Sequence, residues 1–403
     1  MKIDIKEYLA DHIHDYIEYI SREIKHICTK LPKRSPGSDG ERQASEYMAR
    51  ALEETCDSVV VESYKVHPDA FYGWIYFTNT LYLVAIVLLL NQPLISAVLI
   101  AAGFLIDILE FVLYKQAVDI LFPVKTGYNV TAIKQPKGEI KQRVLFNGHT
   151  DAAWEWPINY YFGGIVFEAM ALIPTIGAFY YFVLAIISAV CSTDLFGWWM
   201  GGLLFVPFII AMFFIRNKKL VVDGANDNLT GCYIGIALMK AMHDADIDLE
   251  HIEVGVILTG SEEAGLRGAK AWAAKHKDDY KDVPTSIMSF DTIHDPSFLG
   301  VNYRDLNGTV VSDKALANKF MDAAATAQIP CKKTMVPLVG GATDSAAFSQ
   351  AGFRSIGITA LNHKLEKYYH TRLDSWYNLN SNGLKNCLLI CAEMLEKMEH
   401  SDK

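Results

Sequence analysis

The chain has little that would mark a secreted, disulfide-bonded or nucleic-acid-binding protein. Its seven cysteines are scattered among 403 residues and form no CxxC pair, which argues against a disulfide framework and for a reducing compartment. The formal net charge of −9 argues against binding nucleic acid through a basic surface. The N-terminal segment mixes acids with apolar residues, so we expect no secretory signal peptide there.

Charged residues are also scarce, at 21%, whereas apolar residues make up 51%. Two apolar blocks account for this bias. The first is split by Asn91-Gln92-Pro93 and the second by Cys191-Ser192-Thr193-Asp194. A helix needs about 20 mostly apolar residues to cross a bilayer. The blocks therefore predict two transmembrane helical hairpins, with buried core helices or a shallow re-entrant hairpin as the alternatives. The predicted helices lie at 74–90, 94–106, 164–190 and 195–215.

The charges that flank these blocks predict an orientation. Each hairpin crosses the membrane twice, so the remaining parts of the chain share one side. The short connections within the hairpins contain no lysine or arginine, whereas the outer ends do. Because positive charge favours the cytoplasmic side, we expect a multi-pass membrane protein whose remaining parts lie in the cytoplasm. The flanking residues are Lys115, Lys125, Arg216, Lys218 and Lys219.

Outside the apolar blocks, short apolar strands alternate with helical patterns. This alternation predicts an α/β fold with a mostly parallel central sheet flanked by helices. An amphipathic pattern from Ile5 to Ile20 predicts a first helix that packs on the folded domain, with a membrane-surface helix as the alternative. Predicted strands lie at 59–66, 128–133, 143–147, 252–259, 286–290 and 354–359. Predicted helices lie at 41–54, 229–243 and 384–398.

Acidic residues and a histidine follow three of the predicted strands. His149 comes after VLFN, Glu262 and Glu263 come after VGVILTG, and Asp291 comes after SIMSF. Sites in such sheets form beyond the carboxyl ends of the strands. Taken singly, each residue has an ordinary explanation as a helix cap, a solvated turn or a structural histidine. Asp151 is placed to orient His149 through its second ring nitrogen.

Two further residues extend this set, Asp227 in GANDN and His370 in YYHTRLD. Zinc takes histidine nitrogens and carboxylate oxygens as ligands. Adjacent glutamates can divide two tasks, because one can bind metal while the other takes a proton from water. The joint pattern therefore predicts a hydrolase with two metal ions.

The chain resembles metallopeptidase family twenty-eight, the co-catalytic di-zinc aminopeptidases and their carboxypeptidase relatives. The elements that carry the resemblance occur in the family's order: RSPGSDGERQASEYMARALEE, GHTDA, GANDNLTG, GSEEAGLRGA, SFD, GGATDSAAF and YYHTRLDS. The resemblance implies two Zn²⁺ per chain, bridged by Asp227. His149 and Asp291 would complete one site, and Glu263 and His370 the other. Glu262 would be the general base, and Asp151, Asp344 and Asp374 would support the ligands.

The resemblance also implies a zinc-exopeptidase fold into which the two hairpins are inserted. The implied function is that of a membrane-anchored aminopeptidase that cleaves at the N-terminus of peptides. Its expected partners are peptide substrates and a lipid bilayer, and we expect no binding to nucleic acid. The oligomeric state stays open. The alternatives are an N-acyl amino acid hydrolase, a glutaminyl cyclase, or an inactive membrane scaffold. The predicted boundaries are 1–72, 116–162 and 216–403 for the peptidase domain, and 73–115 and 163–215 for the hairpins.

Three acids lie inside the apolar blocks, namely Asp107, Glu110 and Glu168. Carboxylates in a membrane are costly and often functional. The predicted topology places all three near the cytoplasmic face. They are expected either to reach water at the interface or to form an acidic rim that receives the free amine of a membrane-derived peptide.

Overall fold

The computed structural model describes residues 4–191, 194–337, 340–362, 364 and 366–401. Its helices and strands alternate along the chain, with long apolar helices between some of them. The helices are α1 Ile5–Lys30, α2 Asp39–Glu53, α3 Ala70–Leu88, α4 Pro93–Asp107, α5 Pro157–Phe162, α6 Gly164–Val190, α7 Phe196–Gly202, α8 Val206–Ala211, α9 Thr230–Asp244, α10 Arg267–His276, α11 Lys314–Thr326, α12 Asp344–Gln350 and α13 Ser381–Ser401. The strands are β1 Ser58–Val66, β2 Lys125–Lys134, β3 Gln142–His149, β4 Trp154–Glu155, β5 Asn217–Val221, β6 Ile252–Thr259, β7 Thr285–Ile293, β8 Gly300–Asn302, β9 Arg304–Asp305, β10 Val310–Val311, β11 Lys332–Thr334 and β12 Arg354–Ala360.

In the part of the chain that the structure describes, the central sheet has eight strands in the order β1-β2-β6-β3-β7-β12-β8-β11. Its centre, β6-β3-β7-β12, is parallel. These strands are almost wholly buried, as expected where helices cover both faces. Toward the edges, β1 with β2, β2 with β6, and β12 with β8 are antiparallel. At the other edge, β11 pairs parallel with β8. The sheet that was predicted as mostly parallel is therefore mixed, with four parallel and three antiparallel pairings among the described strands.

Helix α1 packs on the folded domain, against α9 and α13. It begins where the Asp4 carboxylate accepts a hydrogen bond from the backbone N–H of Glu7 at 2.7 Å, a standard N-terminal cap. All five apolar residues that predicted the helix are buried in the main core, which excludes the alternative of a membrane-surface helix. They are Ile5, Leu9, Ile13, Tyr16 and Ile20.

Among the described residues, four helices are long and apolar enough to span a membrane, at Ala70–Leu88, Pro93–Val112, Gly164–Val190 and Phe196–Phe214. The second is longer than predicted, because it continues past Asp107 as a π-helical turn. The fourth is broken by short 3₁₀ turns, so it is less regular than predicted. Helices α3 and α4 pack together, and the Ser96 hydroxyl donates a hydrogen bond to the Ala85 carbonyl at 2.8 Å. Ser192 and Thr193 of the predicted connection lie outside the described residues.

Both apolar segments begin and end at paired strand residues. The first leaves the sheet after Val66 and returns at Lys125, its pairing partner. The second leaves after Glu155 and returns at Asn217, which are also paired. Asp69, at the start of the first segment, contacts Arg216 at 2.8 Å, at the end of the second. The bases of the two segments are therefore adjacent in the fold.

Candidate metal centre

Two groups of potential metal ligands share one carboxylate. One group comprises His149, Asp227 and Asp291, and the other comprises Asp227, Glu263 and His370. Within each group, one ligand atom from every residue lies within 4.8 Å of the others. The two oxygens of Asp227 face opposite ways: Oδ1 is 3.2 Å from His149 Nε2, and Oδ2 is 2.9 Å from His370 Nε2. The structure thus brings together all five residues predicted as ligands.

The parallel centre of the sheet supplies three of these side chains. His149 is the last residue of β3, and Glu263 lies in the loop after β6. Asp291 lies two residues before the end of β7 rather than at its end, because the strand continues to Ile293. Glu263 Oε1 is 3.2 Å from His370 Nε2, and Glu262 Oε2 is 3.7 Å from His149 Nε2. The carboxyl ends of neighbouring strands therefore place both glutamates beside the histidines.

Asp374 holds the loop that carries Asp227. It is fully buried, and its Oδ1 accepts hydrogen bonds at 2.8 Å from the backbone and side-chain nitrogens of Asn226. Its Oδ2 accepts from the backbone N–H of Asp227 at 3.1 Å. The peptide bond between Asp227 and Asn228 is cis. Helix α9 begins after Leu229 without a side-chain cap, so Asp227 does not cap this helix.

Asp151 holds the loop that carries the two glutamates. Its carboxylate oxygens accept hydrogen bonds from the backbone N–H groups of Glu262 and Glu263, both at 3.0 Å. Asp151 Oδ1 also lies 3.3 Å from His149 Nδ1. One buried carboxylate therefore positions both glutamates and contacts the ring of His149 on the side away from Asp227.

Asp344 lies deeper, below the ends of β3 and β6. It is buried, and the Thr259 hydroxyl donates a hydrogen bond to its Oδ2. Thr259 pairs with His149 between the two strands. Burial raises the pKa of Asp344 to about 6. Asp344 thus supports the strand end that carries His149 and lies outside both groups of ligands.

The electrostatics of the centre favour bound cations. Burial alone would lower the pKa of His370, but Glu263 and Asp227 outweigh burial and raise it to about 10. Burial, followed by the charge of Asp227, raises the pKa of Asp291 to about 7. His149 Nε2, Asp227 Oδ2 and Glu263 Oε1 are buried without a well-aligned hydrogen bond among the described residues. These nitrogen and oxygen donors fit Zn²⁺, whose charge would offset the excess of carboxylates.

The three acids of the apolar blocks do not form one rim. Asp107 accepts a hydrogen bond from the Tyr82 hydroxyl at 2.5 Å, between α3 and α4. Glu110 is fully buried, and its Oε1 accepts from the backbone N–H of Val118 at 2.8 Å. Glu168 is exposed on α6. The predicted rim is wrong for Glu110, because the loop around Val118 closes over its carboxylate.

Sequence reasoning missed two aromatic residues near the centre. Trp156 lies with its ring centroid 4.1 Å from that of His370. Tyr114 has a φ of 46°, and Lys270 donates hydrogen bonds to its carbonyl at 2.5 Å and to the Gly265 carbonyl at 2.9 Å. Both aromatics adjoin the apolar blocks, and that position was the only sequence signal for them.

Glu41 is a third residue whose role was missed. It is fully buried, and its carboxylate accepts hydrogen bonds from the backbone N–H of Gly37 and from the Ser261 hydroxyl, the latter at 2.9 Å. Ser261 precedes Glu262 and has a φ of 53°. Glu41 lies in the element SPGSDGE, which carried part of the resemblance, so the motif marked the residue without indicating its contact with the glutamate loop.

Comparison with known proteins adds a family and a fold. The family described as Peptidase family M28 matches residues 212–395. Asp227, both glutamates, Asp291 and His370 lie inside this range, whereas His149 lies before it. No curated protein matches the chain.

Several solved structures share the fold. A zinc aminopeptidase from Bacillus subtilis is 12% identical with a TM-score of 0.57, and the match covers 95% of each chain. An aminopeptidase from Aneurinibacillus sp. strain AM-1 is 13% identical with a TM-score of 0.54, covering 94% of this chain and 93% of the other. A glutaminyl cyclase from Fimbriiglobus ruber is 11% identical with a TM-score of 0.56, covering 94% of each. Residues 212–395 thus match the peptidase M28 family, and the chain shares the mixed α/β fold of these structures, which together support a hydrolase of the metallopeptidase type.

Proposed function

We propose that this chain, which carries a peptidase family M28 domain, is a membrane-anchored aminopeptidase that uses two Zn²⁺ ions. The observation that carries the proposal is the position of Asp227, with one oxygen toward His149 and the other toward His370. A carboxylate in that position can bridge two ions. Asp291 would complete the first site and Glu263 the second.

The chain's own residues supply the proton transfers. When bound, the zinc pair would polarise the scissile carbonyl and lower the pKa of water. Burial raises the pKa of Glu262 well above its usual range, because the nearby His149 only partly offsets burial and the Glu263 charge. A raised pKa suits a group that takes a proton from water and returns it to the leaving amine. Asp151 holds the Glu262 backbone in place for this transfer.

We also propose that the segments 73–115 and 163–215 anchor the protein in a bilayer, with 1–72, 116–162 and 216–403 forming the peptidase domain on the cytoplasmic side. Large apolar side chains on these helices are exposed, such as Leu94 at 66% and Ile165 at 72%. Leaving such surface in water is unfavourable by roughly 25 cal/mol per Å², which a lipid environment would avoid. The lysines beyond the helix ends support the cytoplasmic orientation.

The proposal is tested with purified protein in lipid nanodiscs. Zinc content is measured by mass spectrometry, and a peptide library is digested to determine which end is trimmed. We expect two zinc ions per chain and loss of N-terminal residues. Internal cleavage only, or trimming from the carboxyl end, would contradict the assignment as an aminopeptidase.

The role of Glu262 is tested with Glu262→Gln. This change keeps the size of the side chain but removes the base, so we expect retained zinc and a kcat lowered by about 10²- to 10⁴-fold. The control is Glu54→Gln, which changes an exposed glutamate at the end of α2. Full activity of Glu262→Gln would show that another group moves the proton.

A second candidate function is that of a glutaminyl cyclase, because two of the matching structures, from Fimbriiglobus ruber and an Acidobacteriales bacterium, are glutaminyl cyclases. Peptides that begin with glutamine separate the two activities. An aminopeptidase removes the first residue, whereas a cyclase leaves the chain length unchanged and releases ammonia. A product that keeps its first residue in cyclic form would favour the cyclase.

A further inference from the structure

His370 differs from His149 in how its ring is held. Histidines that bind metals usually donate their second ring N–H to a carboxylate, a carbonyl or water. Neither His149 nor His370 has a well-aligned hydrogen bond at its buried Nδ1 among the described residues. His149 Nδ1 nevertheless has the Asp151 carboxylate 3.3 Å away, whereas the ion-pair contacts of His370 are all made through Nε2. His370 also has a φ of 51°, a conformation that non-glycine residues rarely adopt without support from their surroundings.

Trp156 supplies two contacts that restrain His370. The backbone N–H of Trp156 donates a hydrogen bond to the His370 carbonyl at 2.8 Å. The Trp156 ring lies against the His370 ring, with centroids 4.1 Å apart at an angle of 57°. Tyr369 stacks on the same imidazole, at 4.2 Å and 23°. Aromatic packing therefore takes the place of the usual hydrogen bond in orienting this ring.

Trp156 is held in turn by both apolar segments. Its indole N–H donates a hydrogen bond to the Tyr72 hydroxyl in α3 at 3.1 Å. Its ring stacks almost parallel on Phe167 of α6, with centroids 4.2 Å apart at 8°. Asn159, in the short helix between Trp156 and α6, donates a hydrogen bond to the Tyr369 carbonyl at 2.7 Å. One tryptophan thus contacts a predicted metal ligand and a residue from each apolar segment.

We propose that Trp156 is the positioning residue for His370, and that Tyr72 and Phe167 hold Trp156 in place. The affinity of the ion site formed by Asp227, Glu263 and His370 then depends on how the two apolar segments pack. The site of His149 and Asp291, which Trp156 does not contact among the described interactions, does not share this dependence. The inference rests on the proposed two-metal function.

The test measures metal binding rather than turnover. Metal-free protein in nanodiscs is titrated with Co²⁺ alone, whose visible absorption reports the geometry of each site, and Zn²⁺ affinities follow by competition. Trp156→Ala removes the ring from His370, and Trp156→Phe keeps a smaller ring. Phe167→Ala removes the contact from α6 without altering any residue beside the ligands. Phe179→Ala is the matched control, because it changes a phenylalanine of the same helix that is 60% exposed.

We expect Trp156→Ala to lower the affinity for one of the two ions by about 10- to 100-fold. This is the range found when residues that orient metal ligands are replaced. Phe167→Ala lowers the affinity for the same ion to a smaller extent. Trp156→Phe retains part of the affinity that Trp156→Ala loses, and Phe179→Ala binds both ions as the wild type does. The cobalt spectrum of that site changes in parallel.

The outcomes separate this inference from the function on which it rests. A wild-type protein that binds no metal overturns both. A wild-type protein that binds two ions, with affinities and spectra unaltered by Phe167→Ala and Trp156→Ala, overturns the inference alone. If Trp156→Ala does not fold, Phe167→Ala and Tyr72→Phe decide, because neither touches His370.

Discussion

Lys270 should make the stability of this protein depend on pH above neutrality. Its amine lies between two carbonyls, that of Tyr114 at the end of the first apolar segment and that of Gly265 after the loop that carries Glu262 and Glu263. Burial, followed by the positive charge of Arg267, lowers the pKa of Lys270 from 10.5 to about 7. A neutral amine still donates two hydrogens, which matches its two acceptors.

The sign and size of the effect follow from this pKa. Between pH 7 and pH 10.5, the unfolded chain keeps the Lys270 proton while the folded protein releases it. The free energy of unfolding therefore rises with pH, by at most about 1.4 kcal/mol per pH unit. From pH 7 to pH 9 this amounts to about 2 kcal/mol, since release is incomplete near the folded pKa. Below pH 7 both states carry the proton, and the dependence disappears.

The assay compares denaturant unfolding at pH 7 and pH 9 for the wild type and for Lys270→Met. The methionine variant loses both hydrogen bonds at every pH, so only the difference between the two pH values is informative. We expect the wild type to gain about 2 kcal/mol more than Lys270→Met over this interval. Lys277→Met, at an exposed position after the same helix, serves as the control. An equal gain for the wild type and Lys270→Met would refute the reasoning.

Two further predictions concern the centre itself. Asp227→Ala removes the shared carboxylate, so we expect loss of both ions, and retention of two zinc ions by mass spectrometry would contradict its bridging role. Asp374→Asn replaces an acceptor by a donor opposite the backbone of Asn226 and Asp227, which should lower the free energy of unfolding by about 1–3 kcal/mol. An unchanged denaturation midpoint would show that the loop does not need the Asp374 carboxylate.

Much of the secondary structure was predictable from residue patterns within single segments of the chain. Strand β6 was predicted with its observed bounds, because a continuous apolar run between turn residues is typical of a strand buried on both faces. The helices at 41–54, 229–243 and 384–398 were found within a few residues, because their apolar positions recur at helical spacing. The direction of strand pairing has no such local signal, and the antiparallel pairings of β2 with β6 and of β8 with β12 depend on the topology of the chain.

The residues of the candidate site were likewise predictable from the sequence only in part. Residues that follow buried strands, such as His149 and Glu263, were predictable because strand ends converge at one edge of the sheet. Trp156 and Tyr114 were not predictable, because their proximity to the centre depends on how the apolar segments return to the domain. Glu110 was misjudged for a related reason. Its position along a helix was predictable, but the loop that covers it was not.

The paired ends of the apolar segments also bear on how such a chain folds. Between Val66 and Lys125 lie 58 residues (124 − 66), and between Glu155 and Asn217 lie 61 (216 − 155). Loop-closure entropy grows only with the logarithm of length, so joining the paired ends across either segment costs about 2 kcal/mol more than a four-residue turn would. Each segment therefore connects its two paired strands as a long turn would, and the pairing of the strands does not depend on how many residues the segment contains.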